Sequence, residues 1–413
     1  MEKLTFVVPT LLGVEGLTAD ELRRMGMAET RAENGRVLCQ GEAKDIPRLN
    51  LRLRTGERVL LLVGSFPARS FEELFQGVQA LPWERWIPQG GQFPVKGYSL
   101  NSVLHSVPAC QSIVKKAVAT RLGRVYHRET LPEDGAQYQI QFSLMKNQAS
   151  LMLDTTGPGL YKRGYRAVGV EAPLRETLAA ALVLLSGYRG KDPFCDPFCG
   201  SGTIAIEAAL IAKNRAPGLN RTFSAQKWAW LPSQTWVDGA GEAMDLEYDG
   251  TYDIWGGDID PAAVHLAQAN AVKADVEDLV HFTQGDACAF SRQEPYGRIV
   301  ILPMASACWI SRWQLNSTEI LAGQSEDCQK DGGFLSSLPI RHLNGPLGRL
   351  PTKNENSTTE CCSVTSINTG KNRVFRPNKK QTNGFQKNAQ KRRGIPFPFQ
   401  KFQCCGIGKG RVL

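Results

Sequence analysis

No apolar run in this 413-residue chain is long enough to cross a membrane, and no signal-like apolar stretch opens it, so the cytoplasm is the expected location. The glycine-rich turn that stands out, Asp196-Pro197-Phe198-Cys199-Gly200-Ser201-Gly202, lacks the Gly-Lys-Ser/Thr ending that places a lysine on phosphates. It also lacks the Gly-x-Gly-x-x-Gly order of dinucleotide folds. The eleven cysteines include no Cys/His set at zinc-ligand spacing, which argues against a metal site. Cys195 and Cys199, which flank Asp196, are expected to pack in the core. Even the basic excess is local. Of 49 Lys/Arg and 40 Asp/Glu, 17 and 6 fall in residues 301–413, so residues 1–300 carry 32 and 34 and are close to neutral. Any grip on nucleic acid must then come from patches.

What is present reads as a strand, a tight turn and a helix over Cys195–Glu207. Small residues at such a turn let the backbone approach a nucleotide-like ligand, and an acid at the strand end suits an ammonium group. Tyr252–Asp260 predicts a second strand ending in carboxylates, able to accept from both ribose hydroxyls, with a helix over Ala262–Ala271 behind it. Val280–Ala287 predicts a third strand ending at Asp286, placed to receive an adenine amino group.

Three strand-end acids in this order resemble the class I S-adenosylmethionine-dependent methyltransferases. Together with Leu160–Arg166 and Ala172–Ala179, the turn resembles the THUMP-domain RNA methyltransferases, and within them the bacterial group related to the 23S rRNA guanine-N2 methyltransferases, formerly described as N6-adenine-specific DNA methylases. The resemblance covers roughly residues 1–300. It implies an α/β fold: a Rossmann-like class I methyltransferase domain at 166–300, preceded by an α+β ferredoxin-like region at 1–65 and a THUMP RNA-binding domain at 66–165. It also implies S-adenosyl-L-methionine as cofactor, RNA as partner, and a cofactor set of Asp196, Phe198, Gly200, Gly202, Asp258 and Asp286. Within that set Asp196, Gly200 and Gly202 would cradle the methionine portion, Asp258 the ribose and Asp286 the adenine; Asp260 is the weaker of its acid pair.

The apolar patterning is compatible with the N-terminal modules. It predicts strands at Leu4–Pro9, Arg36–Cys39, Arg58–Val63, Gln92–Val95, Gln137–Phe142 and Ala149–Leu153, and helices at Leu17–Arg24, Ile46–Arg54, Phe71–Val78 and Ala109–Leu122. RNA contacts are expected from Lys115 and Lys116, with Arg121 and Arg124 on the same helix. A second group is Lys162, Arg163 and Arg166, beside Tyr161 and Tyr165, which could stack on bases. Trp228, Trp230 and Trp236 lie between the first two cofactor strands and read as an insertion packing on the domain surface, with base stacking the minority option.

The catalytic half is missing. After the fourth strand, Gly297–Val300, the family places Asn-Pro-Pro-Tyr-Gly, whose Asn side chain and Pro carbonyl accept the target amino hydrogens. This chain reads Ile301-Leu302-Pro303-Met304-Ala305-Ser306-Ala307. The codons AAT CCT CCC TAT GGC GAG CGC spell the family's motif; read one base later they spell residues 301–307. A shifted reading frame near Val300 is therefore expected, with 301–413 an aberrant or disordered basic tail. That tail holds six of the eleven cysteines and shows no sustained period. No catalytic residue can be named in this chain.

Overall fold

The computed structural model describes residues 3–166, 174–290 and 297–300. The expected tail at 301–413 lies outside them, as do 167–173 and 291–296. The N-terminal half begins with β1 (Leu4–Pro9), α1 (Glu15–Arg24), β2 (Ala28–Glu33), β3 (Arg36–Gly41), α2 (Asp45–Arg52) and β4 (Leu60–Pro67). It continues with α3 (Phe71–Ala80), β5 (Val95–Leu100), α4 (Val107–Tyr126), β6 (Ile140–Met145) and β7 (Gln148–Asp154). Their strands form one sheet in the order β2-β3-β1-β4-β7-β6-β5. The strand β4 joins its two sides, pairing antiparallel with β1 and with β7, so the sheet runs across the division expected at 65/66. Helix starts follow local chemistry: Ser70 caps α3 by accepting the Glu73 N–H at 3.1 Å, and α4 ends at His127, whose φ of 52° is left-handed.

The C-terminal half contains α5 (Glu176–Leu185), β8 (Phe194–Asp196), α6 (Thr203–Ala212), α7 (Ser233–Asp245), β9 (Ile254–Asp258), α8 (Pro261–Lys273), β10 (His281–Gln284) and β11 (Arg298–Ile299). Its strands are all parallel, in the order β10-β9-β8-β11. The order reverses at β8: β9 follows on one side and β11 on the other. Ligands of open parallel sheets sit outside the strand C-termini at such a reversal. Helix α6, Thr-Ile-Ala-Ile-Glu-Ala-Ala-Leu-Ile-Ala, is buried along its entire length, because it is apolar on every face but for Thr203 and Glu207.

The tryptophan insertion is placed differently from expectation. Trp228 and Trp236 are buried, and they complete the core of the N-terminal body instead of lying on the surface of their own domain. The Trp228 ring stacks on Tyr138 at 5.1 Å and its indole N–H donates to the Gln137 carbonyl; Trp230 meets Trp86 edge-on at 5.3 Å. Helix α7 is tied to α2 by Glu242, which pairs with Arg48 at 3.1 Å and Arg52 at 3.3 Å. Neither buried tryptophan can stack on a base.

Candidate active site

Strand β8 delivers Asp196 to the sheet edge, and the chain turns at once through Gly200 and Gly202, at φ +50° and +80°, into α6. The two glycines serve different ends. A Cβ on Gly202 would lie 2.9 Å from both Ala267 Cβ and Phe282 Cζ, so close packing beneath the turn requires glycine there. A Cβ on Gly200 would meet nothing within 4 Å and would stand in the open crevice.

Carboxylates brace this turn. Asp258, at the tip of β9, accepts the Gly200 N–H on Oδ2 at 2.9 Å and the Asp260 N–H on Oδ1 at 3.0 Å. Its own carbonyl accepts from Gly285 N at 3.0 Å, which sets exposed Asp286 at the end of β10 beside the same crevice. Asp260 caps α8, accepting the Ala262 N–H at 2.9 Å, and that local duty accounts for the acid. Asp196 is buried: Oδ1 accepts the Phe198 N–H at 3.2 Å, while Oδ2 is shielded from solvent and has no hydrogen-bond partner. Burial pushes this carboxyl up to about 7, against the pull of the Phe198 N–H, and the nearby Asp258 charge adds to the rise. A buried acceptor without a donor costs stability and is the feature a cationic ligand group would satisfy. The ring of Phe198 is 42% exposed at the mouth of the turn.

Two contributors escaped the sequence reading. Asn270, buried on α8, donates to the Ser201 carbonyl at 3.0 Å and supports the turn from below. Ile259, 65% exposed between Asp258 and Asp260, offers an apolar wall at the crevice. Cys199 is buried against the sheet, with its N–H on the Gly257 carbonyl, and burial drives its thiol far above the ordinary range. Among the described residues, no group of three His, Cys, Asp or Glu side chains is placed to hold a metal ion. No helix among them is long and apolar enough to cross a membrane.

The residues expected to touch RNA divide. Lys116 and Lys162 are exposed. Lys115 is half-buried, pairs with Glu133 at 2.6 Å and lies 3.5 Å over the Phe93 ring, and Arg121 pairs with Glu84, so half of the α4 cluster is already neutralised. Arg163 needs correction. It is buried, paired with Glu207 at 3.4 Å, and donates to the carbonyls of Leu53, Arg54 and Leu160. Tyr165 is buried too, with its hydroxyl on Glu207 at 3.2 Å. Neither presents a surface to a nucleotide: the only charge in α6 has drawn them inward, since a buried carboxylate requires partners. Arg166 also turns inward, to the Leu174 carbonyl and to Thr203 Oγ1.

Comparison with known proteins gives this geometry a lineage. The RlmL ferredoxin-like domain family matches residues 5–60, the THUMP domain family residues 68–154, and the UPF0020 family, described as RMKL-like, methyltransferase domain, residues 163–303. The Bacillus subtilis (strain 168) protein named "Putative RNA methyltransferase YpsC" is 44% identical over 305 residues, 73% of this chain and 78% of that protein. The chain belongs to the RlmL-like THUMP-domain methyltransferase family. Two solved relatives share its fold. A Listeria monocytogenes protein described as a predicted N6-adenine-specific DNA methylase is 45% identical, with a TM-score of 0.72, over 74% of this chain and 81% of its own. SMU.472, solved in complex with SAH, is 40% identical, with a TM-score of 0.74, over 78% and 87%. The UPF0020 match stops at Pro303, three residues beyond Val300.

Proposed function

We propose that this family member is a cytoplasmic, S-adenosylmethionine-dependent RNA methyltransferase whose target is a guanine N2 in 23S rRNA. The observation that carries the reading is a buried, unpartnered Asp196 oxygen at a glycine turn, in one chain with a THUMP module. S-adenosylmethionine, when bound, supplies a methyl group made electrophilic by its sulfonium sulfur. Asp196, with Gly200, Gly202 and Phe198, would hold the methionine portion, the orphaned Oδ2 taking its ammonium. Asp258 has lone pairs left for the ribose hydroxyls. Asp286 would take the adenine amino group and Ile259 the ring face. Lys116 and Lys162 are the exposed cations for RNA, with Lys115 weakened by Glu133. SMU.472 binding SAH and the RNA methyltransferase name of YpsC both support this reading.

Methylation of an exocyclic amine depends on orienting the lone pair more than on a strong base. Ile301–Ala307 stands where the Asn-Pro-Pro-Tyr motif would supply that orientation, and these residues lie outside the described ones. The chain is accordingly proposed to bind cofactor and RNA while transferring methyl groups poorly, because its reading frame shifts near Val300. The missing motif also favours a second reading, an RNA-binding protein on a methyltransferase scaffold. Adenine-N6 methylation of DNA is the weaker alternative, given the THUMP match at 68–154. Titration with SAH, methylation assays on stripped ribosomal RNA and DNA, and the DNA sequence around codon 300 separate them. Absence of SAH binding would defeat the methyltransferase reading, and efficient transfer to rRNA would defeat the impaired one.

A further inference from the structure

The segment Tyr161–Arg166 links the RNA-binding body to the cofactor half, and its side chains divide the work. Arg163 reaches back to carbonyls of Leu53 and Arg54 and forward to Glu207 in α6, which it shares with Tyr165. Arg166 goes to the N-terminus of the same helix. Its Nη2 donates to the Leu174 carbonyl at 2.6 Å and to Thr203 Oγ1 at 3.0 Å, while its Nε lies 3.4 Å from Glu176 without alignment for a hydrogen bond. Thr203 is the first residue of α6, and its hydroxyl lies 3.3 Å from Ser201 Oγ, inside the Gly-Ser-Gly turn. Gly200 and Gly202 both have positive φ, so the backbone either side of Ser201 has little intrinsic preference and takes its shape from what holds it.

We propose that Arg166 is a positioning residue for the cofactor turn, acting through the Thr203 hydroxyl to fix the conformation that receives the methionine portion of the ligand. The proposal rests on the cofactor reading above. Two observations favour a fixed role over a grip on RNA: the side chain is only 15% exposed, and its Nη2 donates to two acceptors at once. A charge-assisted hydrogen bond of this kind is worth about tenfold in a binding constant.

The test is SAH binding by the full chain, measured by calorimetry, in Arg166→Gln, Thr203→Val, the double variant and Thr203→Ser. Thr203→Val keeps shape and removes the acceptor, which keeps the test open if Arg166→Gln does not fold. Each single variant is expected to weaken SAH binding about tenfold, the double variant no further than the worse single, and Thr203→Ser to restore it. Unchanged affinity, additive losses, or failure of Thr203→Ser to restore binding would overturn the proposal while leaving the cofactor reading intact. A wild-type chain that does not bind SAH would overturn both.

Discussion

Asp258 Oδ2 accepts the backbone N–H of Gly200 at 2.9 Å, joining two loops that are 58 residues apart in sequence. The carboxylate thus shapes the glycine turn before any ligand arrives. Its other oxygen accepts from Asp260 N, so one side chain sets both walls of the crevice. Asp258→Ala strips two backbone donors of their acceptor, and SAH affinity is expected to fall by at least about tenfold; Asp258→Asn keeps one acceptor oxygen and should lose less. Calorimetric titration of both variants checks the order, which a purely electrostatic role for Asp258 would not produce.

The two glycines of the turn should respond differently to alanine. Gly202→Ala combines a left-handed backbone, at about 1–2 kcal/mol, with overpacking against Ala267 and Phe282, at about 1–3 kcal/mol. It should lower the melting temperature of the free protein. Gly200→Ala carries the same left-handed backbone cost at φ +50° but meets open space, so its loss of stability should be the smaller of the two and its methyl group should also cost SAH affinity. Parallel melts and titrations distinguish them, and equal effects would contradict this division.

Protonation of Asp196 gives a pH dependence with a definite sign. Its folded pKa, about 7, is above the ordinary carboxylate value, so the free folded chain holds a proton that the unfolded chain releases. The contribution to stability is present at low pH and is lost as pH rises toward 7. Ligand binding runs the other way, because an ammonium needs the ionised acid. SAH affinity should therefore fall as pH drops from 8 to 6, and Asp196→Asn should flatten that slope. An unchanged slope in Asp196→Asn would place the titrating group elsewhere.

Basic residues of the 161–166 segment should separate into two classes. Arg163→Ala leaves Glu207 buried without its cation and should cost about 3–5 kcal/mol of stability. Lys162→Ala and Lys116→Ala should leave the melt unchanged and reduce both RNA affinity and its salt dependence. Filter binding at two salt concentrations checks the second class, and chemical denaturation the first.

The strand tips of the cofactor half were legible because acids beside glycines have few other uses at the end of an apolar run. Asp196, Asp258 and Asp286 all lie at or just beyond strand ends in the structure. Strand β2, Ala-Glu-Thr-Arg-Ala-Glu, was not legible. It is an exposed edge strand with no apolar alternation, defined only by pairing with β3. Strands β5 and β6 begin three residues later than their apolar pattern suggests, since Gln92 and Gln137 form only an isolated bridge ahead of them. Arg163 misled for a physical reason: arginine near a domain junction reads as surface, and its partner lies 44 residues away. The signal that could have found it is Glu207, the single charge in the middle of an otherwise nearly apolar helix.

Because Trp228 and Trp236 seal the N-terminal core from a segment made after the first cofactor strand, that body cannot finish folding until about residue 245 has emerged from the ribosome. Until then the Tyr138 ring lacks the cover that Trp228 gives it. Among the described residues, every one that closes the N-terminal body precedes Val300, so a frame lost at that point would leave the THUMP-containing half with its core complete.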